Sequence, residues 1–304
     1  MSANKSVICL GLACLDNRMT VDEFPPKHHR EQVWKQWDAP GGPAGVASMT
    51  IARLGGQASF WGQRGGDASG ERVEEILRGE GIDTACFRAY DGAQSPRCEV
   101  FIRPDGERYL FPYSGEGLPT ESDWLPVELV ESAGVVLLDG RWPEAAVRVA
   151  RRARDCGVPV VFDLHSATDY DWELADLATH TIADEEMAAA VGGVDQMLAR
   201  LDGPGKWPAV TLGERGVVYR GGDFPAFKVE VLDSTGAGDV FHGAFAWALT
   251  QGMTEVEALP WASAAAALRC QLGDVPRLGQ VEAMRGTKPT QSVGAHLRGD
   301  QHHR

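Results

Sequence analysis

The order of apolar and polar residues along the chain predicts alternating strands and helices. From Ser132 onward, short apolar runs such as GVVLLDG and VPVVFDL alternate with amphipathic stretches such as EAAVRVARRARDCG. Earlier, VICLGLACL indicates a buried strand and GGPAGVASMTIARLGG a helix between glycines. Strands that alternate with helices indicate a mostly parallel sheet with helices on both faces. We therefore predict an α/β fold, a three-layer α/β/α sandwich.

Two segments do not follow this pattern. Residues 17–39 and 97–113 are rich in aromatic side chains and alternate between apolar and polar positions, and the second contains a turn at Pro104-Asp105-Gly106. Such alternation is typical of strands with one exposed face. We expect the two segments to form a small β-sheet lid inserted into one domain over residues 1–286. Residues 287–304 lack periodicity and are expected to be a polar, flexible tail.

Composition excludes several classes of protein. The 304 residues carry a formal charge of −14, which argues against non-specific binding to nucleic acid or to an anionic membrane. The six cysteines include no Cys-x-x-Cys pair, so we expect reduced, mostly buried thiols. No stretch is long and apolar enough to span a bilayer. The first apolar run fits a buried strand better than a signal peptide, so we expect a cytoplasmic protein.

The segment DSTGAGDVFHGAFAWAL, residues 233–249, carries the main candidate chemistry. A helix N-terminus presents unpaired amides and a partial positive charge, and glycines allow a ligand to approach the backbone closely. Amides from Gly236 to Asp239 can stabilise a transferred phosphoryl group, while Asp239 accepts a proton. The amide field should also lower the basicity of Asp239. Alternatively, this is an ordinary glycine turn with an aspartate that complements the helix dipole. His242 is expected to be a packed helix residue.

This segment resembles the D-T-x-G-A-G-D pattern of the ribokinase-like (PfkB) carbohydrate kinases. The resemblance extends from Gly11 to about Ala283. It includes the pair Gly41-Gly42, the Gly66-Asp67 pair with Gly70, and the T-L-G-x-x-G stretch at Thr211–Gly216. It implies a ribokinase-like fold with a lid and the activity of an ATP-dependent sugar kinase that uses Mg²⁺. Many members of the family also bind a monovalent cation such as K⁺, and some form a homodimer through the lid.

The resemblance also implies roles for individual residues. Asp239 matches the catalytic base, with Gly236, Ala237 and Gly238 as the anion hole. The other matches are sugar contacts at Asp16, Gly41 and Gly42, nucleotide contacts at Asp184, Thr211, Gly213 and Gly216, and monovalent-cation contacts at Asp233 and Thr235.

Two positions depart from the family pattern. Gly45 stands where ribokinase has an asparagine, which weakens the assignment of ribose as substrate. The Asn-x-x-Glu pattern that is linked to magnesium reads Asp184-Glu185-Glu186-Met187. Glu185 or Glu186 substitutes for the missing carboxylate, or water fills the gap.

The stretch VVLLDGRWPEAA is most similar to the 6-deoxy-6-sulfofructose kinases, where the matching arginine contacts the sulfonate. Arg141 has that position here, and pairing with Glu144 on the surface is the alternative. Arg30 and Arg97 are further candidate anion contacts in the lid segments. The predicted substrate is a ketose or an anionic sugar such as 6-deoxy-6-sulfofructose; a plain ketohexose, a phosphorylated ketose and a sugar acid stay open. The alternatives for function are a ribokinase, a nucleoside kinase, or a non-catalytic sugar- or nucleotide-binding regulator.

Overall fold

Nine strands form the larger sheet in the computed structural model, which describes residues 6–289. Seven neighbouring strands are parallel, and two short strands extend one edge in antiparallel pairing. In spatial order the strands are β13 (Gly222–Phe224), β12 (Val217–Tyr219), β11 (Trp207–Thr211), β10 (His180–Asp184), β9 (Val160–Leu164), β8 (Val135–Leu138), β1 (Val7–Leu10), β4 (Ala58–Gly65) and β5 (Asp83–Tyr90).

Nine α-helices within the described residues cover the two faces of this sheet. They are α1 (Pro43–Arg53), α2 (Ala68–Gly79), α3 (Pro143–Cys156), α4 (Asp169–Leu177), α5 (Glu185–Ala190), α6 (Val194–Leu201), α7 (Ala237–Thr250), α8 (Glu255–Leu272) and α9 (Leu278–Arg285). Helices α1, α2, α7, α8 and α9 enclose one core with one face of the sheet, and α3 to α6 enclose a second core with the other. The predicted three-layer α/β/α sandwich is confirmed.

Strand β1 shows why the central strands are apolar at every position. Val7 and Cys9 belong to the first core, whereas Ile8 and Leu10 belong to the second. All four side chains are almost fully buried. A parallel strand between two helical layers has no face in water, so it cannot alternate between apolar and polar residues.

The small sheet has four strands, in the spatial order β3 (Val33–Gly41), β2 (Cys14–Val21), β6 (Arg97–Ile102) and β7 (Arg108–Tyr113). Strands β2 and β6 are parallel, and the two outer strands pair antiparallel to them. The two lid segments therefore do form one sheet, and a hairpin joins β6 to β7 as expected. Strand β2 begins at Cys14, so Asp16 lies within the lid and not in a loop before it.

Two segments differ from a simple strand pattern. Strand β5, with the sequence DTACFRAY, does not alternate regularly between buried and exposed residues. The stretch FPAFKVEVLDS looks like a strand in the sequence, but only its first residue belongs to β13. Its end lies instead along α8, where the amides of Leu232 and Asp233 donate to the carbonyl of Cys270 at 2.8 and 3.0 Å.

The six cysteines are free and four of them are buried, as expected. Within residues 6–289, no helix is long and apolar enough to cross a membrane. Residues 290–304, which make up most of the expected tail, lie outside the described residues, as do residues 1–5.

Candidate active site

A cleft of about 260 Å³ lies between the lid and the N-termini of α1 and α7. The loop after β1 and the glycine pair Gly41-Gly42 before α1 line one side of the cleft. Side chains of the lid strands β2, β3 and β7 line another side. The fold brings together seven of the residues that the sequence predicts for the site: Asp16, Gly41, Gly42, Arg141, Thr235, Gly236 and Asp239.

Helix α7 begins beside this cleft with an N-terminus that carries no side-chain cap among the described residues. Gly236 has a φ of 75°, a left-handed conformation in which a side chain would be strained, and it lines the cleft together with Asp239. Ala237 and Gly238, the other two residues of the predicted anion hole, are not among the residues that line it. The Ala237 amide donates to the carbonyl of Ser234 at 3.2 Å, so one of the four amides already has a partner within the chain. The exposed Gly238 lies in the first turn of the helix.

Asp239 lies in the first turn of α7 and faces the same cleft. Burial, followed by the negative charges of Asp163 and Asp139, raises its pKa from 3.8 to about 7, although His242 and Arg269 act in the opposite direction. The expectation of a lowered basicity is therefore wrong. The helix terminus favours the carboxylate, but desolvation and the neighbouring carboxylates outweigh it.

His242 follows one turn later and is packed within the fold, as expected. Its Nδ1 atom lies 2.7 Å from the Gly238 carbonyl, and its Nε2 atom lies 3.4 Å from the Ile182 carbonyl and 3.6 Å from Oδ1 of Asp163. The ring thus lies between the carbonyl of Gly238 and the carboxylate of Asp163.

On the lid strand β2, the carboxylate of Asp16 is buried and held in one orientation. Nη2 of Arg18 donates to its Oδ2 at 3.0 Å. A side chain at Gly41, on the neighbouring strand β3, would place its Cβ 2.1 Å from Oδ1 of Asp16. Only glycine leaves room for this carboxylate, so the first glycine of the pair shapes the end of the cleft where the sequence predicts the sugar.

Asp139 is a fully buried carboxylate that the sequence analysis missed. Its Oδ2 accepts the amides of Leu12 at 2.8 Å and Ala44 at 3.1 Å, and its Oδ1 accepts the amide of Arg141 at 2.8 Å. Burial raises its pKa, while these three amides act to lower it. Asp139 therefore joins the end of β8 to the loop after β1 and to the first turn of α1, the backbone that lines the cleft.

The three arginines predicted to contact an anion are placed differently. Arg141 lines the cleft, and its exposed guanidinium has no ion-pair partner among residues 6–289, so the alternative pairing with Glu144 is not formed. Arg97 is exposed on β6 and stacks over the ring of Tyr113, 4.8 Å from its centroid. Arg30 is exposed in the loop before β3, and neither it nor Arg97 lines the cleft.

Comparison with known proteins settles which family has this arrangement. The model of the family described as "pfkB family carbohydrate kinase" matches residues 4–275. The chain belongs to the pfkB family of carbohydrate kinases.

Relatives of this pfkB-family kinase include sugar kinases from plants and bacteria. Fructokinase-1 of Oryza sativa subsp. japonica is 30% identical over 79% of this chain and 85% of its own length. Ribokinase of Bacillus subtilis is 26% identical over 92% of this chain and 99% of its own length. A candidate ribokinase from Agrobacterium tumefaciens is 32% identical, with a TM-score of 0.86 over 92% of this chain and 97% of that structure. Arabidopsis thaliana ribokinase, solved with ribose and ATP, is 23% identical and has a TM-score of 0.80 over 93% and 99%.

The nucleotide contacts predicted for this pfkB-family kinase lie at the carboxyl ends of β10 and β11, outside the cleft. Thr211 ends β11, and a turn with positive φ at Gly213 and Gly216 follows. Asp184 caps α5 by accepting the amide of Met187 at 2.6 Å, and Glu185 forms an ion pair with Arg215. These assignments stay predictions.

Asp233 and Thr235, which the family resemblance predicts as monovalent-cation contacts, accept hydrogen bonds from guanidinium groups. Burial alone would raise the pKa of Asp233, but the Thr235 amide and the Arg269 and Arg18 guanidiniums hold it below its usual value. Arg108 also pairs with Asp233.

Arg18 and Arg269 line the cleft, and the sequence analysis missed both. Two signals point to them. Arg18 is two residues after Asp16 on the same face of β2, and Arg269 is a charge within the small-residue run AAAALRC of α8.

Proposed function

We propose that this protein is an ATP-dependent kinase that transfers the γ-phosphoryl group to a hydroxyl of a small anionic sugar, such as 6-deoxy-6-sulfofructose. One observation carries the proposal: the uncapped start of α7, with Gly236 and Asp239, faces the same cleft as Asp16 and Arg141. Helix amides beside a proton acceptor fit phosphoryl transfer, whereas a binding protein has no use for the acceptor.

In the proposed reaction, Asp239 accepts the proton of the sugar hydroxyl. The hydroxyl oxygen forms a bond to the γ-phosphorus as the bond between that phosphorus and the β,γ-bridging oxygen breaks, and ADP leaves. The amides at the start of α7 stabilise the negative charge on the transferred group. A carboxylate with a pKa near 7 suits a general base at neutral pH, because about half of it is ionised there and the ionised form is more basic than an ordinary carboxylate.

The Arabidopsis ribokinase complex with ATP supports ATP as the phosphoryl donor. Mg²⁺ takes oxygen ligands, usually one or two carboxylates together with substrate phosphates, and would neutralise phosphate charge. Asp163 suits such a role, because it lies one residue before the end of β9 and its carboxylate is near enough to raise the pKa of Asp239. In the motif Asp184-Glu185-Glu186-Met187, Glu185 is already paired with Arg215, and a buried methionine stands at the last position. The motif therefore offers fewer free oxygens to Mg²⁺.

Two features of the cleft favour an anionic sugar over a nucleoside. Arg141 is the cleft arginine without an ion-pair partner among the described residues, and its forked donors suit a sulfonate, phosphate or carboxylate. The cleft-lining residues within the described chain include no aromatic ring, which a nucleoside base would need as a stacking surface. Leu12, Val46 and Leu110 form aliphatic wall instead.

The test is ADP release with ATP, Mg²⁺ and a panel of fructose, fructose 6-phosphate, 6-deoxy-6-sulfofructose, a sugar acid, ribose and a nucleoside. We expect kcat/KM for an anionic sugar to exceed that for fructose at least tenfold. Arg141→Ala should lower kcat/KM for the anionic sugar at least tenfold, mainly through KM, and change that for fructose less than twofold. Arg154→Ala, an exposed arginine on α3, is the matched control.

Equal losses of kcat/KM on fructose and on the anionic sugar would remove Arg141 from anion recognition. A nucleoside that is phosphorylated faster than every sugar would overturn the substrate class. No ADP release above the ATP-only rate with any acceptor would overturn the kinase proposal.

A further inference from the structure

The loop before α7 is held by three arginines that come from distant parts of the fold. Nη1 of Arg18 and Nη2 of Arg269 donate to Oδ2 of Asp233 at 2.9 and 3.2 Å. Nη1 of Arg108 and the Thr235 amide, at 2.9 Å, donate to the other oxygen, Oδ1. Asp233, Arg18 and Arg269 are each at least nine-tenths buried.

This arrangement leaves no free acceptor on Asp233. A carboxylate offers about four lone pairs, and here each oxygen already has two donors. Arg108 also donates to Oγ1 of Thr235 at 2.5 Å and, through Nη2, to Oγ of Ser234 at 2.7 Å. A monovalent cation needs these same oxygens and would lie beside three positive charges. The residues present therefore do not fit the K⁺ site that the family resemblance implies at Asp233 and Thr235.

Two of the three arginines belong to the lid. Arg18 lies on β2 and Arg108 on β7, whereas Arg269 lies on α8. Arg18 also donates to Asp16, the predicted sugar contact. The network thus connects the sugar end of the cleft, through Asp233, to the turn at Gly236 that begins α7.

We propose that these guanidinium groups replace the monovalent cation, so that they hold the anion-hole loop and make the kinase independent of K⁺. The statement about activity rests on the proposed function, whereas the statement about cation binding does not. Guanidinium groups fixed by packing supply the positive charge from within the chain, and they also attach the lid to the loop.

The first test measures binding and needs no activity. The full chain is crystallised with thallium(I) or rubidium salts, and anomalous difference maps are calculated around the loop. We expect no peak within coordination distance of the Asp233 carboxylate or of Oγ1 of Thr235. A peak there would overturn the proposal whether or not the protein is a kinase.

The second test compares phosphorylation rates in K⁺, Na⁺ and tetramethylammonium chloride at equal ionic strength. We expect the three rates to agree within threefold, and a larger activation by K⁺ would overturn the proposal. If no acceptor is phosphorylated in any salt and the maps contain no peak, the proposed function fails while the cation inference stands.

The third test removes the guanidinium that the lid contributes to the loop. Arg108→Ala frees Oδ1 of Asp233 and Oγ1 of Thr235, so we expect kcat to fall at least tenfold in tetramethylammonium and K⁺ to restore part of it. Arg103→Ala, on the same hairpin and paired with Asp105 and Glu107 away from the loop, should stay within twofold of the parent.

An unchanged kcat in Arg108→Ala would overturn the proposal. Arg108→Lys is the second variant if Arg108→Ala does not fold. The lysine ammonium keeps the positive charge but lacks the forked donors by which Arg108 contacts three residues. We therefore expect kcat of the Arg108→Lys variant to fall, and K⁺ not to restore it. Full activity in that variant would equally contradict the need for a guanidinium.

Discussion

The carboxylate of Asp139 accepts the backbone amide of Leu12 at 2.8 Å, although the two residues are 127 positions apart in the chain. The bond joins the ends of the neighbouring strands β8 and β1, where both meet the cleft. Because two further amides donate to the same carboxylate, one buried side chain fixes three backbone segments around the predicted sugar site. The positions of Asp16 and Arg141 relative to α1 depend on this junction.

Substitution of Asp139 by asparagine should therefore weaken both the fold and the site. An amide nitrogen would replace one of the two acceptor oxygens and would face a backbone N–H donor. A buried donor without a partner costs about 1–3 kcal/mol. We expect a fall in the free energy of unfolding of that order, with a higher KM for the sugar, measured by urea denaturation and steady-state kinetics. Asp155→Asn, on the exposed side of α3, is the control; equal stability of the two variants would contradict the structural role of Asp139.

Asp239→Asn should separate catalysis from stability. The variant cannot accept the hydroxyl proton, and loss of a general base typically lowers kcat about 10²- to 10⁴-fold. Stability should change in the opposite direction. Because the pKa of Asp239 is raised from 3.8 to about 7 in the folded protein, ionisation destabilises the fold progressively as pH rises between these values, and fully above pH 7.

A neutral asparagine removes this unfavourable contribution. We therefore expect a melting temperature a few degrees higher at pH 8 than in the parent, and a smaller difference at pH 4, where the parent aspartate is protonated in the fold. Differential scanning fluorimetry at the two pH values measures the effect. Activity within tenfold of the parent would exclude Asp239 as the base.

The rate of phosphoryl transfer should depend on pH through the same group. Asp239 accepts a proton only when it is ionised, so kcat/KM, which reports ionisation of the free enzyme, should rise about tenfold per pH unit below its pKa and level off above about pH 7. Pre-steady-state measurements between pH 5 and 9 separate this step from product release. A chemical step that stays constant down to pH 5 would show that the carboxylate is not buried and crowded in the working enzyme.

Local features of the sequence predicted the framework correctly. Strands such as β1 are apolar at every position because they have helices on both sides, and this pattern alone indicates the three-layer fold. The start of α7 was also predictable, since Gly236 and Asp239 are three residues apart and their relation depends on one turn of backbone. The lid followed from alternating segments, although the sequence did not indicate that β2 begins early enough to include Asp16.

The errors concern charges whose neighbours are distant in the chain. The rise in the pKa of Asp239 depends first on burial and then on Asp163, which lies on β9, and Asp139, which directly follows β8. Arg18, on an inner strand of the lid, contacts Asp233 across 215 positions of sequence, and Arg108 contacts the same carboxylate from the edge strand β7. No local pattern indicates such a meeting, because the position of each guanidinium depends on how the lid packs against the domain.

The sequence by itself determined the layers, the lid and the turn that presents Asp239, because each depends on periodicity or on backbone conformation within a few residues. The tertiary structure alone decided the electrostatics of the site: the basicity of Asp239, the occupied oxygens of Asp233 and the unpaired state of Arg141 among the described residues. Electrostatic interactions depend on distance and burial in space, and both arise only when strands, helices and lid have packed together.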